Sequence, residues 1–247
     1  FLKDRSVDMS GIEVDEGKTF RWEGKYGYDL NQAVTLKTEL NVIESFKPKV
    51  PEEYRDVDFV FLANIDPVLQ SHVIDQVKFP KAVALDTMNF WIQNRYNELL
   101  DVIRRIDILI INEAELREIS KEHNLVKGAK KIMSLGPTCI VVKRGEYGVF
   151  MMSREEIFLA PAYPLEDVFD PTGAGDTFAG GFMGYISNIG DTSLKTLKQA
   201  IILGSVMASF NVEDFSINRI KSLDYMEIKE RYSAFKRCMQ FGDLEFK

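Results

Sequence analysis

The sequence predicts an α/β fold in which a mostly parallel sheet carries helices on both faces, and three observations predict it. Four apolar segments recur along the chain: DFVFLAN at 58–64, KAVALDT at 81–87, DILIIN at 107–112 and TCIVVKRG at 138–145. Each is apolar nearly throughout instead of alternating, as strands buried on both faces are. Between them lie stretches of helical spacing at 67–77, 95–105 and 113–135, and strands joined through helices are what a parallel sheet needs.

The first element precedes that core. Residues 19–28 (TFRWEGKYGY) and 36–43 (LKTELNVI) are β-rich and alternating, with Gly, Asn and Asp in the connection, so they read as a β-hairpin or small sheet. Trp22, Tyr26 and Tyr28 share one parity. That predicts an aromatic face needing cover from its own domain, a substrate or a second subunit. After the four apolar strands, YGVFMM at 147–152 and EIFLA at 155–159 predict a further hairpin, and a loop runs from Pro161 to Asp170. A helix is predicted to begin near Ala174, because Phe178, Phe182, Tyr185 and Ile186 fall on one helical face. LKTLKQAIILGSVMASF at 194–210 reads as a mostly buried helix, and YMEIKERYSAFKRC at 225–238 as amphipathic surface cover.

Composition narrows the function classes. A chain of 247 residues with 45% hydrophobic content can bury a large core and reads as one domain with an appendage. The net charge of -7 and pI near 5.1 argue against a nucleic-acid or anionic-membrane surface, and no apolar run approaches the length that spans a bilayer. Cys139 and Cys238 lack metal-ligand spacing and read as two reduced thiols in a cytoplasmic protein. His72 and His123 lie far apart in polar, helical contexts and read as solvated. The opening FLKDRSVDMSG carries neither Met nor a signal-peptide pattern, which reads as a start partway along a longer sequence.

In open parallel sheets ligands bind beyond the carboxyl ends of the strands. Here those ends are polar: Asn64 and Asp66, then Asp86 with Asn89, then Asn112 with Glu115, and finally Lys143, Arg144 and Gly145, with Gly148 after a turn. Each alone fits a helix cap, and Asn112 with Glu115 has the spacing of a capping box. Four such ends on one edge point to a ligand site. The stretch DPTGAGDTF at 170–178 adds a loop feeding a helix start. Pro171 biases Asp170 toward an extended conformation. Gly173, Ala174 and Gly175 leave room for a phosphate at a helix N-terminus, where unpaired amides and the dipole attract an anion. Asp176 follows directly, and a carboxylate there suits a general base that takes a proton from an attacking hydroxyl. The same residues also fit an ordinary first helical turn.

Together, DPTGAGDTFAGGF, NEAE at 112–115 and VVKRGEYG at 141–148 resemble the PfkB carbohydrate kinase family, the ribokinase-like fold. The nine residues of DPTGAGDTF match the family's C-terminal signature throughout, and the order and spacing of the other motifs agree. The resemblance implies a three-layer α/β fold with a small β lid, residues 19–43 forming the lid and residues 1–18 with 44–247 the kinase core. It implies phosphoryl transfer from ATP to a hydroxyl of a sugar, with a nucleoside as the alternative acceptor. Asp176 then matches the catalytic base, and Gly173, Ala174 and Gly175 the anion hole. Asn112 and Glu115 match the N-x-x-E motif, which organises Mg²⁺ and phosphate through water, and magnesium suits such oxygen ligands. Lys143, Gly145 and Gly148 match the nucleotide-binding strand and turn, and Arg144 beside them is a second candidate for the ATP phosphates. SFNVEDFS at 209–216 resembles the loop bordering the adenine, with Asn211 as its contact. Asp170 and Thr172 match positions that hold K⁺ in some relatives. Asp86 and Asn89 resemble a D-x-N segment facing the acceptor, and Trp91 beside them is an expected stacking surface for a base or sugar face. A homodimer through the lid is compatible with the aromatic hairpin.

The N-terminus departs from the family pattern, which opens with a strand, an Asp and a GG-x-x-x-N motif that this sequence lacks. Roughly 50 or more residues of a typical member are without a counterpart. Two other enzyme classes fit poorly. A dinucleotide oxidoreductase would need a third glycine where Phe178 stands, and a P-loop NTPase would need G-x-x-x-x-G-K-[ST], which does not occur. A non-catalytic binding protein on the same fold has no need of Asp176 as a base.

Overall fold

The computed structural model describes residues 1–31 and 33–243, and the chain falls into two units, Phe1–Gly145 with Val149–Leu159 and Glu146–Gly148 with Ala160–Lys247. In the first unit β1 (Arg21–Tyr26) pairs antiparallel with β2 (Ala33–Glu39), with a register shift between Glu23 and Gly24. The shift lets Trp22 fold back over its own strand. A Cβ on Gly24 would stand 2.1 Å from the indole, and Trp22 Nε1 donates to Thr35 Oγ1 at 3.2 Å. The predicted aromatic face is therefore smaller than its parity suggested, because Tyr28 lies past the end of β1 and is fully exposed. The second strand also ends earlier than residue 43. Asn41 takes a left-handed conformation (φ 51) and donates its side-chain amide to Thr19 O at 2.7 Å, turning the chain into a short 3-10 segment.

The central sheet has the order β3-β4-β5-β6-β7-β8. Its first four strands are β3 (Phe59–Leu62), β4 (Ala82–Leu85), β5 (Ile108–Asn112) and β6 (Cys139–Lys143), all parallel to one another. β7 (Val149–Ser153) runs antiparallel to β6, and β8 (Ile157–Ala160) follows it at the edge. Every residue of β4 is buried, which explains why the segment reads as a continuous apolar run. Side chains of alternate strand residues, among them Leu85, Leu109, Ile111 and Val142, form one core with Leu99, Ile103, Leu116 and Ile132 from the helices. Each such aliphatic side chain contributes about 1.5–3 kcal/mol by leaving water.

The helices of this unit are α1 (Pro67–Ile74), α2 (Asn89–Asn94), α3 (Tyr96–Ile103), α4 (Glu113–Ser120) and α5 (Leu125–Met133). The stretch predicted as one helix over 113–135 is two. Lys121 adopts a left-handed conformation (φ 58) that ends α4, and Asn124 Oδ1 accepts from Lys127 N at 3.0 Å to start α5. Ahead of α3 the short α2 is an element the periodicity did not show, cut off by the non-helical Arg95.

The second unit is helical. α6 (Ala174–Ile189) packs along α7 (Leu194–Asn211), followed by α8 (Asn218–Ser222) and α9 (Tyr225–Cys238). The first two approach closely where neither has a side chain in the way. A Cβ on Gly181 would stand 3.1 Å from Gly204 Cα, and one on Gly204 only 2.8 Å from Phe178 O. Phe178 and Phe182 stack beside this contact with centroids 6.2 Å apart.

Gly204→Val forces α6 and α7 apart, and overpacking of that kind costs about 1–3 kcal/mol. A lower thermal unfolding midpoint is the expected result. An unchanged midpoint would contradict the close approach.

Candidate active site

Three strand ends and one helix start supply the polar residues of the first unit. Asn112 ends β5 and caps α4. Its Oδ1 accepts from Glu115 N at 2.9 Å while Glu115 Oε2 accepts from Asn112 N at 2.8 Å. The capping box allowed by the spacing is formed, and it holds Glu115 at 5% exposure. Asp86, directly after β4, is buried too. Its Oδ1 accepts from Thr87 N at 2.8 Å and its Oδ2 lies 3.4 Å from Lys143 Nζ. Lys143 is the last residue of β6 and the register partner of Asn112. Burial pushes the Glu115 carboxyl up to about 7; the Lys143 ammonium opposes the rise and the Asp86 carboxylate adds to it.

With both acids ionised, these three side chains are one positive charge short. A bound cation would fit that imbalance. Among the described residues no three or more His, Cys, Asp or Glu gather to cage a metal. Carboxylate oxygens of this kind are donors that magnesium accepts beside waters and phosphate oxygens. Arg144 is tied down nearby, its Nε donating to Glu113 Oε2 at 2.7 Å. That bond, with Arg117 on the same acid, holds the Glu113 carboxyl below its ordinary range against the effect of burial. Asn89 opens α2 and is exposed. Gly145 is approached so closely by Asn31 Oδ1 that a Cβ would stand 1.5 Å from it.

Trp91 is not the stacking surface expected of it. It is 6% exposed, edge-on to Phe90, and donates its indole N–H to Asn64 Oδ1 at 3.0 Å. The large ring is drawn into the core and its one polar atom finds a partner there. Gln70 is a residue that sequence reasoning missed. Its Nε2 donates to Ala63 O at 2.9 Å and Asp86 O at 3.1 Å, tying the ends of β3 and β4. The signal was a glutamine on the buried face of α1, one turn after Pro67.

The second unit holds the loop 170–176. Gly173 caps α6 in a left-handed conformation (φ 82), which glycine adopts without strain. Asn211, the last residue of α7 and 1% exposed, spends both ends of its amide on this loop. Its Nδ2 donates to Thr172 O at 2.9 Å, and its Oδ1 accepts from Thr177 Oγ1 at 2.9 Å. Asn211 thus braces the loop from inside, a task different from the adenine contact expected of it. Thr177, not singled out in the sequence, is the other end of that brace. Asp170 Oδ1 accepts from Thr172 N at 2.9 Å and Oδ2 from Ser216 N at 3.3 Å. Burial would raise the Asp170 carboxyl, but these bonds outweigh it and hold the group below its ordinary range. Gly148, also left-handed (φ 83), lies against the backbone of Ala160–Ala162.

The start of α6 is left open. Ala174 N donates to Pro171 O and Thr177 N to Gly173 O, while among the described residues the amides of Gly175 and Asp176 have no acceptor. The Asp176 carboxylate is exposed and takes no hydrogen bond or ion pair among them either. Two free amides and a free acid on one helical turn can bind an oxyanion and accept a proton beside it.

The sequence matches the profile described as pfkB family carbohydrate kinase over residues 2–221. A cytidine kinase of Thermococcus kodakarensis is 31% identical over 183 residues, covering 72% of this chain and 64% of the relative. The solved structure of a Methanocaldococcus jannaschii nucleoside kinase, an archaeal member of the ribokinase family, aligns with a TM-score of 0.73 over 94% of this chain and 74% of its own, at 20% identity. A Burkholderia thailandensis nucleoside kinase in complex with inosine gives a TM-score of 0.73 over 94% and 75%, at 15% identity. At such identities these likenesses show the fold, the three-layer ribokinase-like α/β class that the sequence predicted. The chain spans less than two thirds of the length of the curated relatives it matches.

Glu115 makes stability depend on pH. Its folded value near 7 lies above the ordinary 4.5, so its contribution is fully present below about pH 4.5 and is lost as pH rises through 7, on the order of a few kcal/mol. Glu115→Gln keeps the cap and removes the titration. Without divalent cations, the wild-type midpoint is expected to fall more steeply between pH 5 and 8 than that of the variant. Parallel pH profiles would refute the buried acid.

Proposed function

The chain belongs to the pfkB family of carbohydrate kinases, and from that membership and the open start of α6 we propose that it transfers a phosphoryl group from ATP to a hydroxyl of a sugar, free or within a nucleoside. The observation that carries the proposal is an Asp176 carboxylate and two amides beside it that have no partner among the described residues. Asp176 takes the hydroxyl proton as the acceptor oxygen bonds to the γ-phosphorus and the bond to the ADP oxygen breaks. Gly173, Ala174 and Gly175 keep side chains away, so the amides of Gly175 and Asp176 stabilise charge on the group in transfer. Asn112 and Glu115 are the residues that would hold Mg²⁺ through water, and the ion would supply charge neutralisation at the phosphates. Gly145 and Gly148 are assigned to the nucleotide through the turn that their left-handed conformations allow, and Asn89 is the exposed polar group assigned to the acceptor. Asp170 and the Thr172 carbonyl are assigned to K⁺.

The cytidine kinase, matched over 72% of this chain, supports a nucleoside acceptor, and the ribokinase and deoxyribokinase relatives, matched over 47% and 51%, support a free sugar. A non-catalytic binding role is disfavoured because it leaves the free acid without a use. No helix among the described residues is long and apolar enough to cross a membrane, and the two free thiols suit a reducing, cytoplasmic setting. A homodimer through β1 and β2 is part of the same reading, supported by Val34 and Leu36, which β2 leaves exposed.

ATP consumption measured against a panel of nucleosides and sugars is expected to single out one acceptor class. Asp176→Asn should lower turnover about a hundredfold or more while ADP affinity stays near wild type. Turnover within a few-fold of wild type in that variant would remove Asp176 as the base.

A further inference from the structure

Lys143 lies on the strand assigned to the nucleotide, yet its side chain is turned inward. Its Nζ is 3.4 Å from Asp86 Oδ2, and the two side chains are 18% and 7% exposed. Asp86 is fixed on two further sides, by Thr87 N at Oδ1 and by Gln70 Nε2 at its carbonyl. The pair joins the ends of β4 and β6, the two strands that flank β5. Asn112 ends β5, is the register partner of Lys143, and is locked to Glu115 by the reciprocal cap. The ammonium is also the principal opposite charge acting on Glu115.

We propose that Lys143 is a positioning residue: locked by Asp86 across the end of β5, it holds the Glu115 carboxylate in place for a divalent cation and makes no contact with the nucleotide. A buried ion pair adds little net stability, since desolvation offsets the attraction. Its effect is to fix geometry. It neutralises Asp86, so Glu115 is the carboxylate of the cluster left for the metal. The inference rests on the reading of Glu115 as the Mg²⁺ organiser.

The test is ADP binding by calorimetry, with and without Mg²⁺, for wild type, Lys143→Met, Asp86→Asn and the double variant, which removes both buried charges and so protects folding. The Mg²⁺-dependent gain in ADP affinity is expected to fall about tenfold or more in all three variants, the usual effect of removing a group that orients a metal ligand. Mg²⁺-free affinity is expected to stay within about threefold of wild type, as for a group that touches no phosphate. Weaker Mg²⁺-free binding in Lys143→Met with none in Asp86→Asn would overturn the proposal in favour of a direct phosphate contact. An unchanged Mg²⁺ gain with only a lower thermal midpoint would overturn it in favour of a purely structural pair. A wild-type protein whose ADP affinity ignores Mg²⁺ would defeat the Glu115 reading and this proposal with it, an outcome distinct from the other two.

Discussion

A helix cannot satisfy its own first amides, and the rest of this structure is arranged around where that deficit is closed and where it is left open. α1, α4, α5, α7 and α9 begin with Asp66, Asn112, Asn124, Ser193 and Asp224, each accepting from an amide of the first turn. α6 begins with a glycine that has no side chain to do so. Its free amides meet solvent at the motif that carries Asp176. The loop before them is shaped from elsewhere, by Asn211 bonding Thr172 and Thr177. α6 thus starts without a side-chain cap, as α2, α3 and α8 also do, and the brace for its loop comes from α7.

Glu115 shows the opposite arrangement. Its cap contributes roughly 1 kcal/mol to α4, while burial makes its charge costly. The balance leaves a carboxyl that is held in one orientation and short of positive charge. Such a group is stable enough to persist and strained enough to welcome a cation. Lys143 and Asp86 complete that environment without removing the imbalance.

The sheet was legible because strands buried on both faces cannot hide their apolar runs, and residues 82–85 and 108–111 are buried throughout. The Asn112–Glu115 cap was legible because it is local in sequence. The loop 170–178 was legible through a motif whose glycines and acid stand next to one another. Other features were out of reach because they are contacts at long range. Asp86 and Lys143 are separated by 57 positions and Thr172 and Asn211 by 39, and neither pairing leaves a local pattern. Trp91 was misjudged for a related reason. Position along the chain put it near the strand ends, but a partner at Asn64 turned its ring inward. The break at Lys121 went unseen because a left-handed lysine has no compositional mark.

Arg231 of α9 lies 3.5 Å over the Phe210 ring and 5.1 Å from that of Tyr163, donates to Ser209 Oγ at 3.1 Å and bonds Glu213. Those partners surround Asn211 on both sides in sequence. The last helix therefore clips the end of α7, and α7 in turn braces the loop 170–176 through Asn211. A surface helix with no catalytic side chain of its own becomes the keystone of the loop's rigidity. The conformational entropy that an anion would otherwise have to quench on arrival is already removed when the chain folds.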